Sequence, residues 1–337
     1  MAPPVDLRTV RDGQWWSPVA APTPPAPDPA FREGWGLPVF RDDFDSGPLD
    51  LTRWYRRGLP GGDYFLTNTD RQAIYVRENS YVDEVAQELI IKTQRRESPL
   101  TPDPYTRWWD TGYIDTMPRA GFAGFEQRYG RFEARVHSLH PMDTAGIWSA
   151  FWLRTRQDGG EVDVFEHVGT PTGRAEDGTT SGSWPYASRW PNSGIRSQAI
   201  FFEETGQTNQ AAGHAYHECR YDLPEVSPGS YFGWHTYACE WTPDRISCYC
   251  DGMLTGEIRR GQRPTNTAGQ SPTGPNGNVA DGAMILDGGF GGSAAMHMRL
   301  CVQVGFPGYG YASTVHTMDP HYFRVSHVYA WEWDGQE

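Results

Sequence analysis

Three carboxylates stand within six residues in the run Gly159-Gly160-Glu161-Val162-Asp163-Val164-Phe165-Glu166-His167. Acidic and apolar residues alternate from Glu161 to Val164, the period of a strand with one acidic face. The alternation then breaks, because a regular strand would send Glu166 to the side opposite Glu161 and Asp163. A β-bulge, one extra residue in one strand, brings it back. Such a set suits retaining glycoside hydrolysis, in which two carboxyl groups roughly 5–5.5 Å apart serve as nucleophile and acid/base. Alternate strand positions are about 6.6–6.8 Å apart. Long Glu side chains leaning inward close that gap, with the shorter Asp163 between them. Crowded like charges raise one pKa, which suits an acid working near neutrality. The competing readings are a solvated acidic face and a calcium loop. Calcium loops are rich in Asp, Asn and Gly and irregular, whereas this segment is strand-like.

Side chains placed this way need a rigid platform. Candidate strands fall at 73–76, 88–93, 113–116, 131–137, 147–153, 161–168, 197–202, 235–240, 245–250, 298–304 and 323–333, and no long helix is read between them. With 38 Gly, 27 Pro and 14% aromatic residues the pattern is all-β. In 147–153, Trp148 and Trp152 share one face and Ile147, Phe151 and Leu153 the other. The two tryptophans either stack on sugar rings or pack in the core; Trp109, Trp184 and Trp190 are weaker candidates in loops. Arg131, Glu133 and Arg135 share a face of 131–137, and Arg131 is expected to touch substrate. Two loop-rich stretches, 169–195 and 260–295, are expected to wall a cleft and set substrate choice.

At 337 residues the chain fits one large all-β domain. Residues 1–35 read as an arm with a Pro/Ala-rich linker at 19–30, and 36–337 as the domain. A net charge of −13 argues against nucleic acid as a partner. It also lowers the expectation of a sulfated or uronic polysaccharide, although Arg56-Arg57, Arg95-Arg96 and Arg259-Arg260 are local exceptions. No run of 18 apolar residues exists, so no membrane insertion is expected. Of five cysteines, Cys239 pairs opposite Cys248 across the Thr242-Pro243-Asp244 turn with Cys250 on the same face; these read as small core residues. His214, His217 and Cys219 lack a fourth zinc ligand at suitable spacing. The start of the chain has no basic and apolar leader. The expected location is therefore extracellular or virion-associated, with the arm and its Trp15 and Trp16 meeting tail proteins of a bacteriophage particle.

The acidic run resembles the bulged Glu-x-Asp-x-x-Glu motif of glycoside hydrolase family 16, the clan of laminarinases, lichenases, agarases and carrageenases. Tyr129–Val136, Gly146–Leu153, Trp234–Ile246 and the opening Asp43-Phe44-Asp45 with Trp54 resemble further family segments in the right order. Ser149 stands where Pro is usual. The resemblance implies a β-jelly-roll sandwich of two antiparallel sheets with a concave cleft. It implies Glu161 as nucleophile, Glu166 as acid/base and Asp163 as helper, with tryptophans such as Trp148 and Trp152 at the subsites. Asn79 lies in a segment resembling one whose Asn contacts sugar. His167, in Glu-His-Val-Gly, resembles laminarinases and points toward β-1,3-glucan. No cofactor is required. Many members hold a structural calcium with an acidic residue in the first strand, here Asp43, and an Asp in the last, where this chain has Ser326. The expected activity is an endo-β-glycanase on β-1,3- or mixed β-1,3/1,4-glucan. The alternatives are a phage tail component acting on a host envelope glycan such as a galactan, and a binding protein without catalysis.

Overall fold

The computed structural model describes residues 28–60, 73–100, 107–138, 147–156, 159–168, 195–202, 217–222, 233–264, 282–304 and 320–335, and the short strands at 10–11 and 14–15. In chain order the elements are β1 (Val10–Arg11), β2 (Gln14–Trp15), β3 (Phe40–Asp42), β4 (Tyr55–Arg56), β5 (Ala73–Tyr75), β6 (Ser80–Asp83), β7 (Glu88–Leu100), β8 (Arg107–Thr111), β9 (Tyr113–Asp115), β10 (Gly130–Ser138), β11 (Ile147–Thr155), β12 (Gly160–Val168), β13 (Ile195–Phe202), β14 (His217–Asp222), β15 (Gly233–Trp241), β16 (Arg245–Cys250), β17 (Met253–Arg259), α1 (Gly282–Gly288), β18 (Met296–Val304) and β19 (His321–Trp331).

Ten strands make one sheet, ordered β17-β16-β15-β10-β19-β7-β8-β5 with β3 beside β19 and β6 beside β7. Seven make the other, ordered β14-β13-β12-β11-β18-β9-β4. The neighbours run antiparallel apart from the parallel pair β5–β8. The two sheets stack as the expected jelly-roll sandwich. Phe132, Val136, Tyr237, Trp241 and Phe323 of the larger sheet meet Phe151, Leu153, Val162, Phe165, Met298 and Leu300 of the smaller in one buried core. β8 pairs with β7 and β9 with β18, and only Gly112 separates them, so one stretch of chain passes from sheet to sheet. A Cβ on Gly112 would stand 2.3 Å from Ser80 Oγ and 2.7 Å from the Asn79 carbonyl oxygen, so only glycine fits this crossing.

Cys239 faces Cys248 across β15–β16 as read from the sequence, and with Cys250 both are buried in the core. Two expectations change. Trp109 is not in a loop: it lies on β8, fully buried. Within 260–295, Ile285 and Leu286 of α1, with Phe290 and Ala294, pack into the core, so this part does not wall a cleft. Residues 169–194 and 265–281, Trp184, Trp190 and His214 lie outside the described residues. Of the expected arm, residues 28–35 are seated on the outer face of the larger sheet. There Ala30 and Trp35 pack with Tyr329 and Trp331, and the Arg32 guanidinium binds the Glu133 carboxylate.

Candidate active site

The irregularity in the acidic strand is real and sits at Val164. Pairing between β11 and β12 runs through Phe151↔Phe165 and resumes at Trp152↔Asp163, skipping one residue. On the other side Asp163 pairs with Ala199 and Glu166 with Ser197, so two residues of β12 face one of β13. The cause lies in the core. Val162, Val164 and Phe165 are all fully buried, and Phe165 packs against Tyr237 at 4.6 Å and Phe323 at 6.0 Å between ring centroids. Two consecutive residues turn inward, and the strand resumes with Glu166 on the same outer face as Glu161 and Asp163. Glu166 is 3% and Asp163 5% exposed, while the Glu161 side chain is 20% exposed. Gly160 fixes the start of this strand: a Cβ there would stand 2.5 Å from the Gly289 carbonyl oxygen and 2.6 Å from the Phe290 ring.

The neighbouring strand lines up its own side chains with the carboxylates. Trp148, Ala150, Trp152 and Arg154 of β11 pair with Val168, Glu166, Asp163 and Glu161. Both tryptophans therefore share the face of the acids. Trp148 is half-buried; Trp152 is nearly covered by Tyr75, Tyr113, Ala150 and Cys301. Arg154 was not singled out in the sequence. Its guanidinium lies 3.1 Å from a Glu161 oxygen and anchors that carboxylate. The signal was available: Arg154 continues the Trp148–Trp152 face by strand period.

The floor extends over His297, Arg299, Cys301 and Gln303 of β18, then Tyr113 and Asp115 of β9. Asp115 is fully buried and is held by both Arg57 and Arg119. Burial pushes the Tyr113 phenol up to about 12. Burial first, then the guanidiniums of Arg299, Arg57, Arg119 and Arg154, push the His297 ring down to about 2.

Two expected substrate contacts are corrected. Arg131 lies on β10 of the larger sheet, where Phe132, Ala134 and Val136 take the core side. Arg131 therefore points away from the cleft, across the sandwich, and binds Glu133 and Glu240 at 2.8 Å each. His167 pairs opposite Ser149 on the inward side of β12, with its ring 6.5 Å from Phe165, so it does not share the face of the carboxylates. Asn79 is half-buried in the short turn Arg77–Asn79 against Gly112, one residue from Tyr113, and its amide nitrogen is buried without a partner.

The calcium ligand set implied by the resemblance does not fit. The Asp43 carboxylate accepts hydrogen bonds from Arg41 at 2.5 Å and from the Tyr329 hydroxyl, so a cation and a donor already occupy it. Ser326 takes the place of the second acid. Among the described residues His235, Cys250 and Asp251 bring ligand atoms within 4.8 Å of one another, but Asp251 is already bonded to His235 Nδ1 and the Thr236 amide.

The sequence pattern described as Glycosyl hydrolases family 16 matches residues 121–282, which contain β10 to β17 and all three carboxylates. No curated protein matches the chain. Similar solved structures include one described as that of endo-acting O-glycanases by which human gut microbiota initiate mucin breakdown. It is 19% identical over 91% of this chain and 94% of that one, with a TM-score of 0.60. The laminarinase catalytic domain of Thermotoga maritima MSB8 is 19% identical over 89% and 99%, with a TM-score of 0.55. SCLam, a non-specific endo-β-1,3(4)-glucanase, is 19% identical over 90% and 93%, with a TM-score of 0.56. At such identities the likeness is one of fold. The family 16 pattern thus spans the acidic strand, and the jelly roll is shared along most of the chain with structures of that family.

Proposed function

We propose that the protein is a retaining endo-β-glycanase acting through Glu161, Asp163 and Glu166. The observation that carries this reading is the bulge at Val164, which puts three carboxylates on one outward face over a buried apolar one. Glu161, anchored by Arg154, attacks the anomeric carbon while Glu166 protonates the departing glycosidic oxygen. A water deprotonated by Glu166 then cleaves the glycosyl ester and frees Glu161. Asp163 lies between the two and hydrogen-bonds whichever neighbour holds the proton. Trp148, half-buried on this face, offers a flat apolar ring to a sugar, while Trp152 is nearly covered and lies in the floor beneath. The cycle needs no metal or cofactor.

The substrate is a polysaccharide, and the laminarinase and endo-β-1,3(4)-glucanase relatives favour β-1,3- or mixed β-1,3/1,4-glucan. The O-glycanase relative favours a second reading, an acceptor-rich O-linked or galactan-type chain. Release or carriage outside the cell, including on a virion, fits an enzyme whose substrate is a polymer.

The test is reducing-end release by wild type and Glu161→Gln on laminarin, lichenan, galactan and mucin glycans. Wild type should cut at least one of these internally with retention at the anomeric carbon. The variant should lose about a thousandfold or more. Wild-type-like turnover in the variant would remove Glu161 from the mechanism.

A further inference from the structure

We propose that the cleft floor contains an anion subsite, built on Arg299 with His297 and Tyr113, that binds an acidic substituent of the glycan, a sulfate ester or a carboxylate. The proposal rests on reading the cleft as a glycan-cutting site and names the class of glycan.

Arg299 shares the face of the carboxylates. It pairs with Trp152 on one side and with Asp115 on the other. β18 is two strands from β12, about 10 Å at the usual strand spacing. A substituent there belongs to the same bound chain as the bond being cut.

The other guanidiniums around it are each committed to a carboxylate. Arg57 and Arg119 both bind Asp115, and Arg154 binds Glu161. Arg299 has no carboxylate within salt-bridge distance among the described residues. Its Nε instead donates to His297 Nε2 at 2.7 Å, and its guanidinium lies 4.4 Å from the centre of the Trp152 ring. Of these four guanidiniums Arg299 alone is without a carboxylate bonded to it, although Asp163 and Glu166 lie on the same face two strands away. Arg299 is only 8% exposed. A buried charge is ordinarily paired, because water no longer solvates it.

The same cluster holds unused polar groups. His297 is fully buried and accepts through Nε2, so the neutral ring carries its proton on Nδ1, and that nitrogen has no partner. The Tyr113 hydroxyl is likewise buried without a partner, 1% exposed, on a ring 6.3 Å from that of Trp152. A buried polar group without a partner has lost its water and gained nothing in return. An oxyanion brings several acceptor oxygens and one or two negative charges. It would satisfy both deficits together, which a neutral hydroxyl would not. The depressed His297 titration, driven in part by four guanidiniums, reports the same positive field.

The test compares kcat/KM on matched neutral and acidic chains: laminarin and its sulfated derivative for the sulfate arm, and laminarin and its 6-carboxylated derivative for the carboxylate arm. Mucin glycans before and after removal of sulfate and of sialic acid extend both arms. Wild type should favour the acidic member of at least one pair by about tenfold or more. Arg299→Gln should collapse that preference, and Tyr113→Phe, which deletes a single oxygen, should reduce it severalfold. Should Arg299→Gln fail to fold, Arg299→Lys and Tyr113→Phe carry the comparison. Equal or greater activity on the neutral member of every pair, or a preference that survives these substitutions, would overturn the subsite while leaving the hydrolase reading intact. If nothing is cut, binding of the acidic chains by wild type that falls in Arg299→Gln would keep the subsite and remove the hydrolase. Equal binding by the two proteins would remove the subsite as well.

Discussion

At the scale of single residues, Arg154 is the side chain whose role the pairing makes most specific. It stands opposite Glu161 across β11–β12 and touches its carboxylate at 3.1 Å. A nucleophile must be held in line with its target, and small misplacements are costly. Arg154→Met keeps the apolar stem and removes the guanidinium. It should lower kcat about 10- to 100-fold with less change in KM, and should shift the acid limb of the kcat profile. An unchanged kcat and pH profile would leave Arg154 as a surface ion pair only. The three carboxylates were legible because acid–apolar alternation with one slip has few other uses. Arg131 and His167 were misjudged for two different reasons. Strand period says which residues share a face but not which sheet the face belongs to, so Arg131 went to the wrong side of the sandwich. For His167, the resemblance of Glu-His-Val-Gly to laminarinases was weighed over the alternation, which turns the ring to the face opposite Glu166.

At the scale of elements, the bulge is what converts a strand into a site. Deleting Val164 would remove the extra residue and restore a regular strand, with Phe165 still inward between Tyr237 and Phe323 and Glu166 still outward beside Glu161 and Asp163. The deletion should lower the thermal midpoint, because a buried valine is lost from the core, yet keep measurable activity. Complete loss of activity in a folded deletion variant would mean that the site needs the bulge itself and not only the shared face. Phe165→Ala, which leaves the register alone, should cost about 3–5 kcal/mol in urea unfolding. A loss under 1 kcal/mol would mean that the core does not hold the bulge. Most interior strands were readable, and their ends differ from the structure by a few residues. The strands that escaped notice have physical reasons. β14 (HECRYD) and β17 (MLTGEIR) are sheet edges; β14 is mostly polar in sequence, and the buried face of β17 is marked only by Gly256 and Ile258. β8 buries Arg107 where a core strand would carry an aliphatic residue. The short α1 sits in a Gly- and Asn-rich stretch whose composition signals loop, and only the packing of Ile285, Leu286 and Phe290 gives it a place.

At the scale of the whole molecule, the two faces of the sandwich carry buried groups that make the fold sensitive to acid. On the outer face Glu133 is 1% exposed. Burial alone would raise its pKa, but His327 at 3.6 Å and the Arg32 and Arg131 guanidiniums outweigh that and hold the carboxyl at about 2, against 4.5 unperturbed. On the cleft face His297 is held at about 2 against 6.5. Both folded pKa values lie below the unfolded ones, so the native state binds fewer protons and stability rises with pH. The His297 contribution is complete above about pH 6.5 and erodes as pH falls from there. That of Glu133 is complete above about 4.5 and is lost toward 2, worth on the order of 3 kcal/mol. Because Arg32 belongs to the segment seated on the sheet, the Glu133 anchor also ties that segment to the domain. The urea midpoint of the wild type should be level above pH 7, decline below about 6.5 and steepen below about 4.5. Glu133→Gln should be less stable at pH 7, because it leaves Arg32 without its acid and Arg131 with Glu240 alone, and should show no steepening at the lower step. His297→Gln should flatten the upper step and leave the lower one. A wild-type midpoint that stays level from pH 7 to pH 4 would mean that neither group differs in proton affinity between the folded and unfolded chain.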